Sequence, residues 1–526
     1  MKIFETNFKL KDHLNIHSAI IFIITLALVA GPLVAEIALF FGIIFIFFNT
    51  SKITSYINFY KKSVFVFFLF YLLIIFSSFY SIDATTSLIR SIFYIRFFFL
   101  ILIFSLFFEK EKNINIFAIF FIIIFSIFLI DSLIQFSFGN NILGYPYTLG
   151  RVTSFFNDEH ILGSYISRFY PFILSLIFFS KLNKKNYYIY FITISSLVMV
   201  YLSSERTAFG LLIIVLFFLT FLKQFRIFFL FFLIFLIFMI LNKSANLERL
   251  IDHTINQIYN KKENKIYLFS ERHQNHYKTS WEIFLDNKNF GTGIKTFRIV
   301  CKQDKYSNDI IKNFLNTGEK YVSPVDGQAI TIEVDKDLPQ ASRNFDIIIL
   351  NGSDPKDLDS IADGYIKNKK LDLNLQDYKN YVIHYKIPGW LPDIDKRFSS
   401  IEIFNLNRFY VQKNQILFIK PPDQFVDGCN THPHNTYLQL LSETGLYSFL
   451  IILFIFLIVT FNVVYFFYKS LKLNDDFSKG LLMINLCFFI NLFPLVPTGS
   501  FFNNFLSFVY LIPVGLYFGI NKRKIT

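Results

Sequence analysis

Runs of apolar residues long enough to cross a lipid bilayer recur along most of this chain. A membrane-spanning helix needs about 20 predominantly apolar residues, because the hydrocarbon core of a bilayer is about 30 Å thick. Such runs lie near residues 17–33, 34–48, 63–80, 87–108, 114–137, 162–180, 186–203, 207–222, 225–241, 437–467, 478–496 and 502–520. The sequence therefore predicts an all-α polytopic membrane protein with about twelve transmembrane helices, the first two forming a tight hairpin at Gly31-Pro32.

The composition agrees with a membrane protein. Of the 526 residues, 54% are hydrophobic, and the mean hydropathy of +0.46 is well above that of an ordinary soluble domain. The net charge of +13 does not indicate nucleic acid, because the charged residues fall in short clusters between the apolar runs. We therefore expect membrane lipids, and not nucleic acid, as partners.

The basic residues of the loops show a consistent sidedness. Loops rich in lysine and arginine stay in the cytoplasm. Alternate loops contain Lys52, Lys61, Lys62, Lys110, Lys112, Lys181, Lys184, Lys185, Lys223, Arg226, Lys469, Lys472, Lys522, Arg523 and Lys524. This pattern places both termini in the cytoplasm. It predicts a membrane domain of nine spans (1–242), an extracytoplasmic loop (243–436) between spans nine and ten, and a membrane domain of three spans (437–526).

The first part of the extracytoplasmic loop, residues 250–300, has the pattern of an amphipathic helix. Tyr277, Trp281 and Phe284 recur at helical intervals, and the sequence GTG at 291–293 then ends the pattern.

The second part, residues 302–425, is polar and punctuated by Gly, Pro, Asn and Asp. It contains short runs of β-forming residues such as AITIEV and FDIIIL, so it predicts a β-containing insertion. Cys301 and Cys429 bracket this insertion, outside the membrane, where disulfides persist. We predict a Cys301–Cys429 disulfide that joins its two ends; the alternative is two free thiols. Cys487 lies in an apolar run and is expected to pack inertly.

Five arginines stand near the predicted outer surface or inside spans, against the charge bias. They are Arg90, Arg151, Arg168, Arg206 and Arg272. Arginine binds phosphate through paired N–H groups, so these residues could line one electropositive pocket for a phosphate-bearing ligand. The alternative for each is an interfacial side chain that reaches lipid headgroups.

The sequence HPHN at 432–435 stands where the chain enters its tenth apolar run. Thr436 and Gln439 have the spacing of a capping box, and Asn435 is an alternative cap, so a helix is predicted to start here. The free N–H groups of a helix start attract anions, and His434 could act as a general base. A metal site needs more ligands than His432 and His434 supply.

The stretch HPHNTYLQLLSETG closely resembles the signature of the O-antigen ligase/polymerase superfamily, the bacterial glycan transferases described as Wzy_C or WaaL-like. The motif there is His-Asn, nine intervening residues and Gly, which correspond to His434, Asn435 and Gly445. Further parts that resemble the family are Ser204-Glu205-Arg206, Arg272 with Trp281, Gly291 and Gly293, and Arg151 with Phe155 and Asn157. The resemblance covers the membrane frame and roughly 250–300 and 430–450, and not 302–425.

This resemblance implies a metal-independent glycosyl transfer, without a cofactor, at the periplasmic face of the bacterial inner membrane. The implied donor is a glycan on undecaprenyl diphosphate, and the acceptor is lipid A-core in a ligase or a growing glycan in a polymerase; some members glycosylate protein. Arg206 and Arg272 would grip the diphosphate, and His434 would activate the acceptor or support the leaving group. Further candidates for binding the diphosphate are Arg151, Arg168, Arg90 and Asn435. Glu443 would orient a partner or only pack against one.

Two other classes of protein remain open from the residues. A polytopic secondary transporter would often show related halves around a site at the membrane midplane, whereas the polar residues here crowd one face. A metal-dependent lipid-linked glycosyltransferase would use acidic residues, for which Glu36 and the cluster Asp158-Glu159-His160 are the candidates. That cluster is also typical of a helix N-terminus or a solvated loop.

Overall fold

The computed structural model describes most of the membrane region and part of the extracytoplasmic loop. The described residues are 16–48, 50–147, 150–157, 159–227, 259–260, 265–266, 269–301, 303–306, 320–322, 329–331, 346–351, 382–385, 407–412, 415–420 and 429–525. Across them the chain is mostly helical. The predicted ninth span, near 225–241, lies mainly outside the described residues.

Among the described residues, the first half of the chain forms ten α-helices. They are α1 (Ile16–Ala30), α2 (Pro32–Phe47), α3 (Thr50–Phe59), α4 (Lys61–Phe79), α5 (Ala84–Phe93), α6 (Arg96–Phe108), α7 (Glu111–Phe138), α8 (Leu162–Phe179), α9 (Lys185–Ser203) and α10 (Arg206–Phe221). Helices α1 and α2 are short and meet at Gly31, whose φ of 132° lets the chain reverse before Pro32 begins the next helix.

The second half contributes five more helices. They are α11 (Glu271–Asp286), α12 (Phe297–Val300), α13 (Thr436–Leu473), α14 (Asp476–Asn491) and α15 (Asn504–Ile525). Helix α8 is the centre of the bundle: nearly all of its side chains are buried, and α7, α9, α10 and α14 pack around it. Helix α15 packs along α6, and α14 also packs on α13.

Among the described residues, seven helical segments are long and apolar enough to cross a membrane. They are Lys61–Phe79, Ala84–Phe108, Glu111–Phe138, Leu162–Phe179, Lys185–Ser203, Thr436–Leu473 and Asn504–Arg523. Shorter apolar helices lie at Ile16–Val29, Leu33–Phe47 and Arg206–Phe221. The chain is therefore a multi-pass membrane protein, whereas the number of twelve spans and the sidedness of the loops stay predictions.

The region predicted as one amphipathic helix, 250–300, differs in the structure. Helix α11 begins only at Glu271, and before it β1 (Tyr259–Asn260) pairs antiparallel with β2 (Lys265–Ile266). The prediction of helix across the hairpin was therefore wrong. The reason is local: the sequence between the two strands, 261–264, is Lys-Lys-Glu-Asn, which supplies no apolar residue to continue a helical face.

Strands occur where the sequence predicts the β-containing insertion. They are β3 (Lys320–Val322), β4 (Ala329–Thr331), β5 (Asp346–Asn351), β6 (Val382–Tyr385), β7 (Asn407–Gln412) and β8 (Gln415–Lys420). Strands β3 and β4 form a hairpin, and the other four form an antiparallel sheet in the order β6-β5-β8-β7. The fold of the insertion as a whole stays a prediction, because most of its residues lie outside the described ones.

A disulfide joins Cys301 and Cys429 at the two ends of the insertion, with the Cα atoms 5.2 Å apart. Both cysteines are buried in a small apolar cluster that also contains Ile283 of α11, Phe297 and Tyr306. The insertion therefore leaves and rejoins the helical frame at one point, five residues before His434.

Candidate functional site

His434 lies immediately before helix α13 in a constrained backbone. Its φ of 54° is in the left-handed region, which a non-glycine residue occupies at a cost of about 1–3 kcal/mol. Its carbonyl oxygen accepts a hydrogen bond from the N–H of Thr498 at 2.9 Å and one from the hydroxyl of Tyr277 at 3.5 Å. These contacts come from the α14–α15 loop and from α11, so two separate parts of the chain hold the backbone of this histidine.

Asn435 caps helix α13. Its side-chain oxygen accepts hydrogen bonds from the N–H groups of Tyr437 (3.0 Å) and Leu438 (3.1 Å), and its amide nitrogen donates to the carbonyl of Pro494 at 2.8 Å. The capping box predicted from Thr436 and Gln439 was wrong, and the alternative cap is the one that forms. Both ends of the Asn435 side chain, and two N–H groups of the helix start, are therefore used within the protein.

The two residues of the predicted capping box join the α14–α15 loop instead. The hydroxyl of Thr436 lies 3.1 Å from that of Thr498. Gln439 donates to the hydroxyl of Ser500 at 2.9 Å and accepts from the N–H of Phe501 at 2.8 Å. The start of α13 is thus tied to the loop that follows α14, which fixes the height of His434.

Three further histidine rings surround His434. The ring centroids lie 4.2 Å from His432, 5.3 Å from His276 and 5.6 Å from His273. His276 is fully buried, and both it and His273 come from the first two turns of α11. Neither His273 nor His276 was predicted as a site residue from the sequence. Their spacing of three residues, on the same helical face as Tyr277, is a signal that could have identified them.

The hydrogen bonds of the two motif histidines differ. The amide nitrogen of Asn430 lies 3.0 Å from Nε2 of His434, and since an amide N–H group can only donate, Nε2 is the acceptor in this contact. Burial, and secondarily the charges of Arg298 and Lys295, lower the pKa of His432 to about 4. His432 is therefore neutral at neutral pH, and its Nδ1 lies 2.9 Å from the hydroxyl of Thr431.

A cationic group lies beside this histidine cluster. Lys295 and Arg298 are close enough to act on His432 electrostatically, and Arg90 of α5 and Arg298 act on Lys295. Burial and these two guanidinium groups lower the pKa of Lys295 to about 8. Arg90 and Arg298 are exposed. We call Arg90, Lys295 and Arg298 the Lys295 cluster; two of its members, Lys295 and Arg298, act electrostatically on His432.

A second group of arginines surrounds Glu205, in the turn between α9 and α10. Glu205 accepts hydrogen bonds from the N–H groups of Gly163 (2.7 Å) and Ser164 (3.0 Å) at the start of α8. Burial raises the pKa of Glu205 to about 7, against the opposing effect of Arg151 and, more weakly, of Arg168. Arg151 and Arg168 therefore both act electrostatically on the carboxyl group of Glu205. We call Arg151, Arg168 and Glu205 the Glu205 cluster.

The contacts of these two arginines tie the loop before α8 to the rest of the bundle. Nε of Arg151 donates to the carbonyl of Ser203 at 3.1 Å. Arg168 is buried in α8, and its Nη1 donates to Oδ1 of Asn491 at 2.9 Å, at the end of α14. Asn491 is followed after two residues by Pro494, which accepts from Asn435. This chain of contacts connects the Glu205 cluster to the start of α13.

The other two predicted arginines, Arg206 and Arg272, each lie at the start of a helix. Arg206 is the first residue of α10, directly after Glu205, and its side chain is exposed. Arg272 lies in the first turn of α11, one residue before His273. The position of the Arg272 side chain lies outside what the structure describes.

The backbone around Gly445 and the backbone of the GTG sequence are in direct contact. Gly445 interrupts α13 with φ 77° and ψ −176°, which frees the carbonyls of Ser442 and Glu443. These carbonyls accept from the N–H groups of Thr292 (3.0 Å) and Gly293 (2.8 Å), and the N–H of Leu446 donates to the carbonyl of Lys288 at 2.8 Å. A Cβ atom at Gly445 would collide with the carbonyl of Asn289, and one at Gly291 with the backbone of Glu443. The backbones therefore touch directly, which only glycine permits.

Glu443 lies between the start of α13 and the GTG sequence and is fully buried. Its Oε2 accepts from Gln439 at 2.9 Å, and its Oε1 accepts from the N–H of Phe297 at 3.2 Å. Its carbonyl also accepts from the hydroxyl of Ser77, at the end of α4. Glu443 thus joins the start of α13 to the segment that carries Lys295 and Arg298.

The acidic residues that were candidates for binding a metal ion are Glu36 and the cluster Asp158-Glu159-His160. Glu36 forms an ion pair with Arg96, with Oε2 and Nε 2.9 Å apart. Glu159 is exposed, the carbonyl of His160 accepts from Arg151 at 3.4 Å, and Asp158 lies outside the described residues. In the described part of the chain, no group of three His, Cys, Asp or Glu side chains is arranged to hold a metal ion.

The comparison with protein families supports a glycan-processing membrane enzyme. Residues 191–329 match the family model Wzy_C, O-Antigen ligase. Over this stretch the chain is similar to the O-antigen ligase family. The match confirms the resemblance seen in the sequence and covers about a quarter of the chain. No curated protein and no solved structure matches the chain.

The O-antigen ligase match includes the Arg206 turn, helix α11, the GTG sequence and the Lys295 cluster apart from Arg90. It ends inside the insertion, so His434 and Gly445 lie outside it. The tertiary structure brings these two residues against the matched stretch, through the histidine cluster and the backbone contacts of Gly445.

Proposed function

We propose that this protein transfers a glycan from undecaprenyl diphosphate to an acceptor hydroxyl at the periplasmic face of the bacterial inner membrane. The acceptor in this proposal is lipid A-core, as in an O-antigen ligase. The observation that carries the proposal is the position of His434, whose Nε2 lone pair lies in a histidine cluster beside the Lys295 cluster. The Wzy_C match supports the class of reaction.

In this mechanism the acceptor hydroxyl displaces Asn430 from Nε2 of His434 and gives up its proton there. The hydroxyl oxygen bonds to the anomeric carbon of the donor, and the bond from that carbon to the diphosphate oxygen breaks with its electron pair. Fixed cations stabilise the negative charge that gathers on the leaving diphosphate. Proton transfer by a positioned histidine contributes about 10²–10⁴-fold to the rate.

The cations have separate parts in this proposal. Lys295 and Arg298, which act electrostatically on His432, would contact the diphosphate during the reaction, since the leaving group, the anomeric carbon and the acceptor oxygen are close together. Arg206 and Arg272 would grip the same diphosphate, as the resemblance implies. Arg151 and Arg168 would hold the Arg206 turn in place through Glu205 and contribute positive potential.

The experiment that tests the function uses the purified full-length chain with a glycan on undecaprenyl diphosphate. Lipid A-core and a second donor molecule serve as alternative acceptors, with and without EDTA. A single adduct on lipid A-core supports the ligase. A ladder of longer lipid-linked glycans would show a polymerase, and no transfer to either acceptor would contradict both. A strict requirement for a divalent cation would contradict the metal-independent mechanism.

Neutralising the Lys295 cluster is expected to weaken use of the donor. Lys295→Met with Arg298→Met removes two cations near the leaving group, and each charge-assisted phosphate contact is worth about 1.5–3 kcal/mol. We therefore expect kcat/KM for the donor to fall by about 10²-fold or more. Lys278→Met is the matched control, because Lys278 is an exposed lysine of α11 whose charge already faces Glu282. Equal activity of the double variant and the control would exclude the Lys295 cluster from donor binding.

Glu205 is expected to make donor binding depend on pH. Below a pH of about 7 the Glu205 carboxyl takes up a proton, so Arg151 and Arg168 are left without their shared negative charge. The positive potential at this cluster then rises, and the KM for the anionic donor falls as the pH is lowered from about 8 to 6. In Glu205→Gln this part of the pH dependence is lost.

The matched control for Glu205 is Glu159→Gln, which changes an exposed glutamate in the preceding loop. The control should keep the pH dependence of the parent protein. A Glu205→Gln variant with an unchanged KM profile would show that this carboxyl does not titrate in the working range.

A further inference from the structure

Helix α11 presents two different faces. On one face the hydroxyl of Ser280 lies 2.8 Å from the carbonyl of Leu438 and 3.0 Å from the hydroxyl of Ser442 in α13. On the same face the fully buried His276 lies beside His434. On the opposite face Trp281 and Leu285, four residues apart, are each 46% exposed. The helix as a whole is polar, so no hydropathy scan marks it as a membrane element.

The exposed face continues into a band of aromatic residues. Phe290, just after α11, lies with its ring centroid 6.0 Å from that of Tyr447 in α13, and it stacks on Tyr80 at 5.1 Å. Tyr447 and Tyr80 are both exposed. Phe290 therefore connects the end of α11 to Tyr447 of α13 and to Tyr80, the residue after α4. We call Trp281, Leu285, Phe290, Tyr447 and Tyr80 the band.

The burial pattern along α13 indicates where this band lies relative to the hydrocarbon core of the membrane. From Thr436 to Gly445, a rise of about 14 Å, nearly every side chain is buried. From Tyr447 onward, exposed apolar residues such as Leu450 and Phe454 recur along the helix. The part after Gly445 is about 42 Å long, more than the roughly 30 Å that a hydrocarbon core requires.

Helix α11 runs beside the buried part of α13 and reaches its end. Ser280 contacts Leu438, and farther along the carbonyl of Lys288 accepts from the N–H of Leu446. The C-terminal end of α11 therefore lies where α13 begins to expose apolar side chains. Tryptophan and tyrosine concentrate at this level in membrane proteins, because their rings are apolar and their polar ends remain hydrated.

We propose that the Trp281–Leu285 face of α11 is inserted into the outer leaflet of the membrane, at the boundary between headgroups and acyl chains. Its partner is the lipid surface itself, since the face is continuous with the lipid-facing surface of α13. The histidines on the other face of α11 are thereby held at a fixed height above the lipid. This inference does not rest on the proposed function.

The chain offers a direct measurement, because it contains only two tryptophans, Trp281 and Trp390. The full-length Trp390→Phe variant leaves Trp281 as the only indole fluorophore. It is reconstituted in phosphatidylcholine–phosphatidylglycerol vesicles in which the phosphatidylcholine carries bromine either near the glycerol end or near the middle of its acyl chains. We expect strong quenching by the upper bromines, weaker quenching by the deeper ones, and little quenching by aqueous iodide.

Two results would overturn this inference. Quenching of Trp281 by iodide and not by either brominated lipid would place the face in water. Protection from both quenchers would show that protein covers it, either a second copy or another part of the chain. If Trp390→Phe fails to fold, the difference in quenching between the parent protein and Trp281→Phe gives the same information. Glycan transfer is not measured, so failure here leaves the proposed function untouched.

Discussion

Replacing His434 with alanine is expected to lower glycan transfer by about 10²–10⁴-fold while the protein still inserts into the membrane. The physical reason is that the ring of His434 presents the Nε2 lone pair to the acceptor, with a neutral His432 beside it. The hydrogen bonds from Thr498 and Tyr277 go to the backbone carbonyl of His434, so the substitution leaves these two links in place. The measurement is kcat with purified protein and saturating lipid-linked glycan.

His432→Gln is the matched control for this experiment. The glutamine keeps a hydrogen-bonding side chain two residues away, and the neutral His432 supplies no charge in our mechanism. We expect the control to retain activity within about tenfold of the parent protein, since it removes no proton transfer. Full activity of His434→Ala would refute the mechanism, and equal losses in both variants would assign the effect to the packing of the cluster.

Replacing Gly445 with alanine is expected to destabilise the protein and disrupt the site together. The backbone of Gly445, at φ 77° and ψ −176°, lies in a region that is essentially open only to glycine, and an added Cβ meets the carbonyl of Asn289. Backbone strain and overpacking together cost about 2–6 kcal/mol. We expect a lower apparent Tm in detergent and loss of glycan transfer, because the GTG segment carries Lys295 and Arg298.

Gly210→Ala serves as the control for a glycine substitution in a helix. Gly210 lies inside α10, and nothing lies within 4 Å of a Cβ added there. Alanine is favoured over glycine in a helix by about 1 kcal/mol, so this variant should be as stable as the parent protein or slightly more stable. A Gly445→Ala variant with the Tm of Gly210→Ala would show that the break in α13 is not required.

The connection between the His-Asn-x9-Gly motif and the GTG sequence could not be predicted from the sequence. In the chain they are separated by about 150 residues and the whole insertion. In the structure the N–H groups of Thr292 and Gly293 bond to the carbonyls that Gly445 frees in α13. The motif glycine is therefore required by a long-range backbone contact, and no local propensity reports such a contact.

The sequence predicted local structure, such as a helix start, better than it predicted the hydrogen-bond partners of individual side chains. The sequence indicated a helix starting at His434-Asn435, because asparagine is a good cap and an apolar run follows. It did not decide between the two caps, because the hydrogen bonds of Gln439 to Ser500 and Phe501 depend on how the α14–α15 loop folds. Arg168, expected as a phosphate ligand, donates to Asn491 in another helix, which is also a long-range contact.

The sequence by itself determined the multi-pass helical class, the positions of most helices and the resemblance to O-antigen ligases. These follow from apolar length and from local motifs, which depend on neighbouring residues alone. Only the tertiary structure showed the four histidines together, the Lys295 cluster beside them and the separate Glu205 cluster. These groups come from helices and loops far apart in the chain, and their proximity is set by packing, which no stretch of sequence encodes alone.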